Sequence, residues 1–228
     1  MTKKSKEIYL SPSALKLFRE CPRCFYQYKV KGIHRPPLNF ALQSNIDRIL
    51  KVYFDGFRKQ GILPPELEGQ VQDKLFDDQA TLERWRDAMH PTLTYREPDL
   101  PGFFLGGGID DCLDERGVLA PVDYKTTGGS NFEETSEQYY QHQLDIYDLL
   151  IREQGRKTKG CGYLVYYKPE EIVGSGMIRF RTVVKQMETK PARAIALFRE
   201  AAALLRGTLP PSHSTCTYCS WGEVARTD

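Results

Sequence analysis

The sequence predicts an α/β protein: a central mixed β-sheet flanked by helices. Three observations lead there. Apolar residues recur at helical spacing before residue 90; short apolar runs at 103–125, 161–168 and 177–185 read as strands; and helical stretches at 135–153 and 191–206 separate or follow them. A length of 228 residues, 40% apolar and 11% aromatic, is enough for a single domain spanning 1–228 with a real core.

The elements follow in order. Ser11-Pro12 supplies an N-cap and a first-turn proline, so a helix starts there and stops at Cys21-Pro22. Residues 40–58 carry one apolar stripe, Leu42, Ile46, Ile49, Leu50, Tyr53, Phe54 and Phe57, and Gly61 with Pro64-Pro65 closes that helix. Leu67, Val71, Leu75, Leu82, Trp85 and Met89 predict a second helical region over 66–90. Residues 103–125 read as a β-hairpin turning at Asp114-Glu115-Arg116-Gly117, and 126–131 as a loop. Pro169 to Gly176 reads as a turn between two strands, and 207–228 as an irregular tail.

Composition excludes some classes. A net charge of +2 is too balanced to argue for nucleic acid by itself. No apolar run approaches ~18 residues, so no membrane partner is expected. The basic start Met1–Glu7 precedes no apolar signal core, and a cytoplasmic location is expected. The six cysteines do not read as a secreted disulfide framework in a chain of this length.

The hairpin holds the chemistry. If Arg116 and Gly117 form a two-residue loop, Asp110 faces Asp123, with Cβ atoms about 4.5–5.5 Å apart. Lys125 lies two residues on and projects from the same face. Like charges placed opposite each other repel, and a divalent cation between them removes the repulsion; carboxylate, carbonyl and water ligands suit Mg²⁺ or Mn²⁺. The plain alternative is two solvated acids on an exposed face. Cys21-x-x-Cys24 and Cys216-x-x-Cys219 form a tetrathiolate set suited to zinc or to an iron–sulfur cluster, the alternative being unrelated thiols or two redox pairs. A shared site would join the terminal segments 1–35 and 207–228. Cys112 and Cys161 read as buried small hydrophobes. Gln143 and Tyr147 share a helix face; alone, like Asp47, they read as ordinary surface.

Together these residues resemble the RecB-type branch of the PD-(D/E)xK nuclease superfamily, which includes CRISPR-associated RecB-like exonucleases and AddB-type nuclease domains. Ser11-Pro12-Ser13-Ala14-Leu15, Cys21-Pro22-Arg23-Cys24-Phe25-Tyr26, Gly108-Ile109-Asp110, Asp123-Tyr124-Lys125 and Gln143-x-x-x-Tyr147 carry the resemblance in that order. It implies a restriction-endonuclease-like core and a Mg²⁺- or Mn²⁺-dependent deoxyribonuclease, exonuclease-like on single-stranded or end-containing DNA. Asp110, Asp123 and the Tyr124 carbonyl would hold the metal, Lys125 would position water, and Gln143 and Tyr147 would steady the site. Asp47 stands where the family commonly has a metal-binding histidine. The resemblance favours an iron–sulfur cluster, 4Fe-4S, at Cys21, Cys24, Cys216 and Cys219, with zinc as the alternative. The family usually has one N-terminal and three C-terminal cysteines, and Ala225 occupies the missing place. The rival readings are a non-catalytic nucleic-acid-binding module and a redox iron–sulfur protein.

Overall fold

A computed structural model of the protein describes residues 7–36 and 41–224. In chain order the elements are β1 (Ile8–Leu10), α1 (Pro12–Glu20), α2 (Pro22–Lys31), α3 (Ala41–Gln60), β2 (Lys74–Leu75), α4 (Gln79–Arg86), β3 (Leu93–Tyr95) and β4 (Phe103–Gly107). There follow β5 (Asp111–Glu115), β6 (Val118–Thr126), α5 (Ser136–Glu153), β7 (Lys157–Thr158), β8 (Cys161–Gly174), β9 (Met177–Glu188), α6 (Pro191–Arg206) and α7 (Thr217–Val224).

The main sheet runs β2-β5-β6-β8-β9, with β7 beside β6. It is mixed: β5 and β6 are antiparallel, β6 and β8 parallel with α5 as the crossover, and β8 and β9 antiparallel. A smaller sheet, β1-β4-β3, takes the strand that precedes the acidic motif. The α/β expectation of a mixed sheet flanked by helices therefore holds. No helix among the described residues is long and apolar enough to cross a membrane.

Strand alternation divides the core into two layers. Leu119, Leu164 and Tyr166 face one side and pack with Leu144 and Leu150 of α5 and Phe198 of α6. Ala120, Val122, Tyr124, Val165 and Tyr167 face the other and pack with Leu50 and Phe54 of α3. Each large apolar side chain buried in this way contributes about 1.5–3 kcal/mol. Successive residues of β6 therefore point to different helices, and this strand is gripped from both faces.

Several expectations fail for identifiable reasons. The first helix does stop at Cys21-Pro22, as expected, but Pro22 also opens a helix that the sequence reading lacks. Pro22 starts α2 as a first-turn proline, and α2 closes on Gly32 in the left-handed conformation, φ 66°. The helix expected over 66–90 shrinks to Gln79–Arg86, capped by Asp78, whose carboxylate accepts from the Thr81 amide at 3.0 Å. Leu67, Val71 and Leu75 mimic helical spacing but reach the α3 layer through turns and a two-residue strand. On α3, Leu42 and Ile49 are 71% and 61% exposed, so only part of the expected stripe is buried. The predicted turn at 169–176 shrinks to Ser175-Gly176: β8 and β9 continue up to it as a two-stranded arm, absorbing Pro169 at a register shift. The tail is not wholly irregular, because residues 217–224 form α7.

Candidate active site

The β5–β6 turn has the register expected from the sequence. Arg116 and Gly117 have φ of 53° and 85°, as a type I′ turn requires, and the Gly117 amide donates to Asp114 Oδ1 at 2.6 Å. Asp111 pairs with Val122, which leaves Asp110 just outside the ladder, at the position opposite Asp123. Asp110 then does what an unpaired residue at a strand end can do: its Oδ2 accepts from the Tyr124 amide at 3.0 Å.

Gly108 makes this placement possible. A Cβ there would lie 2.7 Å from the Arg86 carbonyl oxygen and 3.0 Å from the Ala88 amide nitrogen. Only glycine lets the chain pass this close to the end of α4. The Ile109 amide then donates to the Trp85 carbonyl at 3.0 Å, and Arg86 Nε to the Asp110 carbonyl at 2.8 Å. The glycine of Gly108-Ile109-Asp110 is thus a packing requirement that fixes where the acid stands.

Asp123 and Lys125 point to the α5 side. Gln143 Nε2 donates to Asp123 Oδ1 at 2.8 Å and also lies 2.6 Å from the Tyr147 hydroxyl, while Gln143 Oε1 accepts from Lys125 Nζ at 3.2 Å. The Tyr147 hydroxyl donates to Asp123 Oδ1 at 3.4 Å. Lys125 is ion-paired to Asp123 Oδ2 and sits 4.7 Å from the centroid of the Tyr140 ring. Oδ2 is buried, with the Lys125 ammonium as its partner. Burial raises the Asp123 carboxyl most, Lys125 opposes it, and Asp110 adds to it, giving a pKa of about 7. A buried carboxylate with a second carboxylate beside it raising its pKa is a donor set that fits a divalent cation.

The α3 side carries a residue that sequence reasoning missed. Lys51 Nζ lies 2.7 Å from Asp47 Oδ2 and 2.8 Å from Asp110 Oδ1, holding both acids around one positive charge. The signal was present, since Asp47 and Lys51 are one helical turn apart, but nothing in the sequence said that this face of α3 meets Asp110. Beside it opens a cleft lined by Gln43, Ser44, Asp47, Leu50, Lys125 and Thr126. The structure brings Asp110, Asp123, Lys125, Gln143 and Tyr147 together, and places Asp47 at the mouth of the same site. The Tyr124 side chain points away, donating to Asp111 Oδ2 at 2.6 Å.

Asp111 was also overlooked. It is fully buried, and its Oδ2 takes Arg58 at 2.5 Å and Arg86 at 3.4 Å, while its Oδ1 accepts from the Cys112 amide at 2.7 Å. Asp55 pairs with both arginines, through Arg86 Nη1 at 2.7 Å and Arg58 Nη2 at 3.3 Å. This network locks α3 and α4 to β5, one residue from the site acid.

At the far end of the chain, the α1–α2 junction supplies Cys21 and Cys24, and Cys216 and Cys219 join them; all four are buried. Their ligand atoms lie within 4.8 Å of one another, so the terminal segments share a site able to hold a metal. Burial raises Cys216, but hydrogen bonds from the Cys219 backbone and from neighbouring thiols outweigh it and bring the pKa to about 7. Cys112 and Cys161 are buried in apolar strands, as expected. Ala225 lies outside the described residues.

No curated protein matches the chain. Among solved structures, the crystal structure of an alkaline exonuclease (LHK-Exo) from Laribacter hongkongensis is similar at 9% identity. That match covers 96% of this chain and 93% of the other at a TM-score of 0.45, too low to carry an argument about the site. A family model, by contrast, matches residues 9–224, a span that includes Asp47, Asp110, Asp123, Lys125 and all four clustered cysteines: the chain belongs to the PD-(D/E)XK nuclease superfamily.

Proposed function

We propose that this protein is a divalent-metal-dependent deoxyribonuclease of the RecB-type branch, exonuclease-like on single-stranded or end-containing DNA. The observation that carries the reading is the buried Asp123–Lys125 pair beside Asp110, which is itself held to this strand by the Tyr124 amide. Asp110, Asp123, the Tyr124 carbonyl and Asp47 would hold Mg²⁺ or Mn²⁺, which when bound supplies charge neutralisation at the phosphate and an acidified water.

The chain's own groups do the rest. Lys125, held by Asp123 and by Gln143 Oε1, presents an ammonium that can orient the attacking water and stabilise charge building on the phosphate. Gln143 fixes the orientation of both members of the pair, because its amide donates to one and accepts from the other. Tyr147 backs the same carboxylate from one helical turn further on. Lys51 neutralises Asp47 and Asp110 before a cation arrives. A reducing, cytoplasmic setting belongs to the same reading, supported by the cluster of four free thiols.

The test is cleavage of end-labelled single-stranded, blunt duplex and circular DNA, with EDTA, Mg²⁺ or Mn²⁺. Degradation of linear substrates is expected only with metal, and Lys125→Ala should lower it ~10²-fold or more. Binding without cleavage under every metal condition would favour the non-catalytic module, and an unimpaired Lys125→Ala variant would sink the mechanism.

A further inference from the structure

The four clustered thiols are placed closely enough to discriminate between metal centres. Cys21 Sγ lies 3.6 Å from Cys219 Sγ, and Cys24 Sγ lies 3.7 Å from Cys216 Sγ. The contacts cross between the two Cys-x-x-Cys pairs, so each N-terminal thiol is matched with a C-terminal one. No separation within the set exceeds 4.8 Å. These are too long for disulfides, whose sulfurs are about 2.05 Å apart.

Four thiolates on one ion at about 2.3 Å form a tetrahedron with edges of about 3.8 Å. In a four-iron cluster each thiolate sits on a different corner of the cube, pointing outward, and neighbouring sulfurs are roughly 6 Å apart or more. A two-iron cluster brings two sulfurs together on each iron but holds the two pairs roughly as far apart. The cross-contacts match the single ion, and the largest separation falls short of either cluster. Widening the set would require the α1–α2 junction and the start of α7 to draw apart. Arg23 opposes that by donating to the Pro210 carbonyl at 2.7 Å, and so does Tyr26 by donating to the Gly207 carbonyl at 3.3 Å.

The surroundings suit a compact anionic centre. The Cys24 amide donates to Cys21 Sγ at 3.4 Å, and Arg35 Nη2 donates to Cys216 Sγ at 3.5 Å. The Arg35 guanidinium carbon lies 4.7 Å from the centroid of the Tyr218 ring, which holds the cation over the cage. A divalent ion with four thiolates carries a net charge of about −2, and one guanidinium with amide donors partly offsets it.

We propose that Cys21, Cys24, Cys216 and Cys219 hold one tetrahedral, redox-inert divalent ion, zinc, and not the iron–sulfur cluster that the family resemblance implies. With four protein ligands the coordination sphere is closed, so the ion has no open position and acts as a structural clasp between the two ends of the chain. The inference stands apart from the nuclease reading, because its test uses no DNA.

The full chain would be produced with iron–sulfur assembly proteins co-expressed and with iron, cysteine and zinc all supplied, then purified without oxygen. Metal and acid-labile sulfide are counted per chain, and X-ray absorption is recorded at the metal edge. The expected result is one zinc per chain, no sulfide, a colourless protein, and a shell of four sulfurs without metal–metal scattering. Offering the apoprotein iron with sulfide and one equivalent of zinc together should give the same product. Iron and sulfide in matching amounts, with broad visible absorption or iron–iron scattering, overturns the proposal. So does metal-free protein whose four thiols all react in the folded state.

Discussion

Replacing Asp111 with alanine, one position from the site acid Asp110, should cripple folding and not chemistry at first hand. Asp111 has no exposed side-chain surface and is the common acceptor for Arg58, whose own side chain is 2% exposed, for Arg86 and for the Tyr124 hydroxyl. Removing it leaves two guanidinium groups in the core with only Asp55 to share. Breaking a buried charge pair in this way costs about 3–5 kcal/mol, against a total stability of order 5–15 kcal/mol. In a chain of 228 residues each kcal/mol is worth about 2–4 °C, so the melting temperature should fall by roughly 6–20 °C. Asp110→Ala is the control. Its side chain is 16% exposed and its partners are Lys51 and one amide, so it should melt within a few degrees of wild type while losing cleavage. Thermal and urea melts of both variants, beside a cleavage assay, separate the two roles. Equal melting of Asp111→Ala and wild type, or equal destabilisation by both changes, would refute the division of labour between these neighbouring acids.

Three further outcomes are expected. Lys51→Met should tighten Mn²⁺ binding about 5- to 10-fold by calorimetry, since one partly exposed competing charge is worth about 1 kcal/mol, and Asp47→Ala should weaken it; no change in either variant would place both residues outside the metal site. With Asp123 raised to about 7 from an ordinary 3.8, the metal-free protein gains stability from this group below about pH 4 and loses it as pH rises through 7, while metal binding must expel the proton. Apparent Mn²⁺ affinity should therefore fall ~10-fold per unit below pH 7 and level off above it, and a flat profile between pH 6 and 8 would count against Asp123 as a ligand. Gly108→Ala should shift Asp110 by forcing its new methyl group off the Arg86 carbonyl, at about 1–3 kcal/mol and with loss of cleavage; an active, fully stable variant would show that the close approach is not needed.

The parts of the structure that were legible in the sequence are those governed by local chemistry. The β5–β6 register follows from a two-residue turn with a glycine in its second place, and α6 runs from a first-turn proline at Pro191 to Gly207. The pairing of distant thiols was legible because spacing is a local signal repeated at both ends. What was not legible depends on which elements meet. Asp110 and Asp111 look alike in sequence, and only strand parity and the position of α3 decide that one meets Lys51 and the other Arg58. Lys51 is an ordinary helix lysine until α3 is laid across the end of β6. Pro22 does end α1 but also begins α2, and Pro169, read as the start of a turn, sits in an arm that tolerates a register shift.

The Cys24–Cys216 contact spans 192 positions of sequence, and with an ion bound it makes the molecule mechanically a ring. A pull through α7 loads the thiolate cage before α6 and the main sheet, whereas a pull from the other side strips β1 and α1, which precede Cys21, and then meets the same cage. Everything that positions Asp110, Asp123 and Lys125 lies inside the ring. For the main sheet, resistance to such a pull is then set by the ligand-exchange rate of one coordination sphere, and the sheet itself need be only as rigid as its own packing makes it.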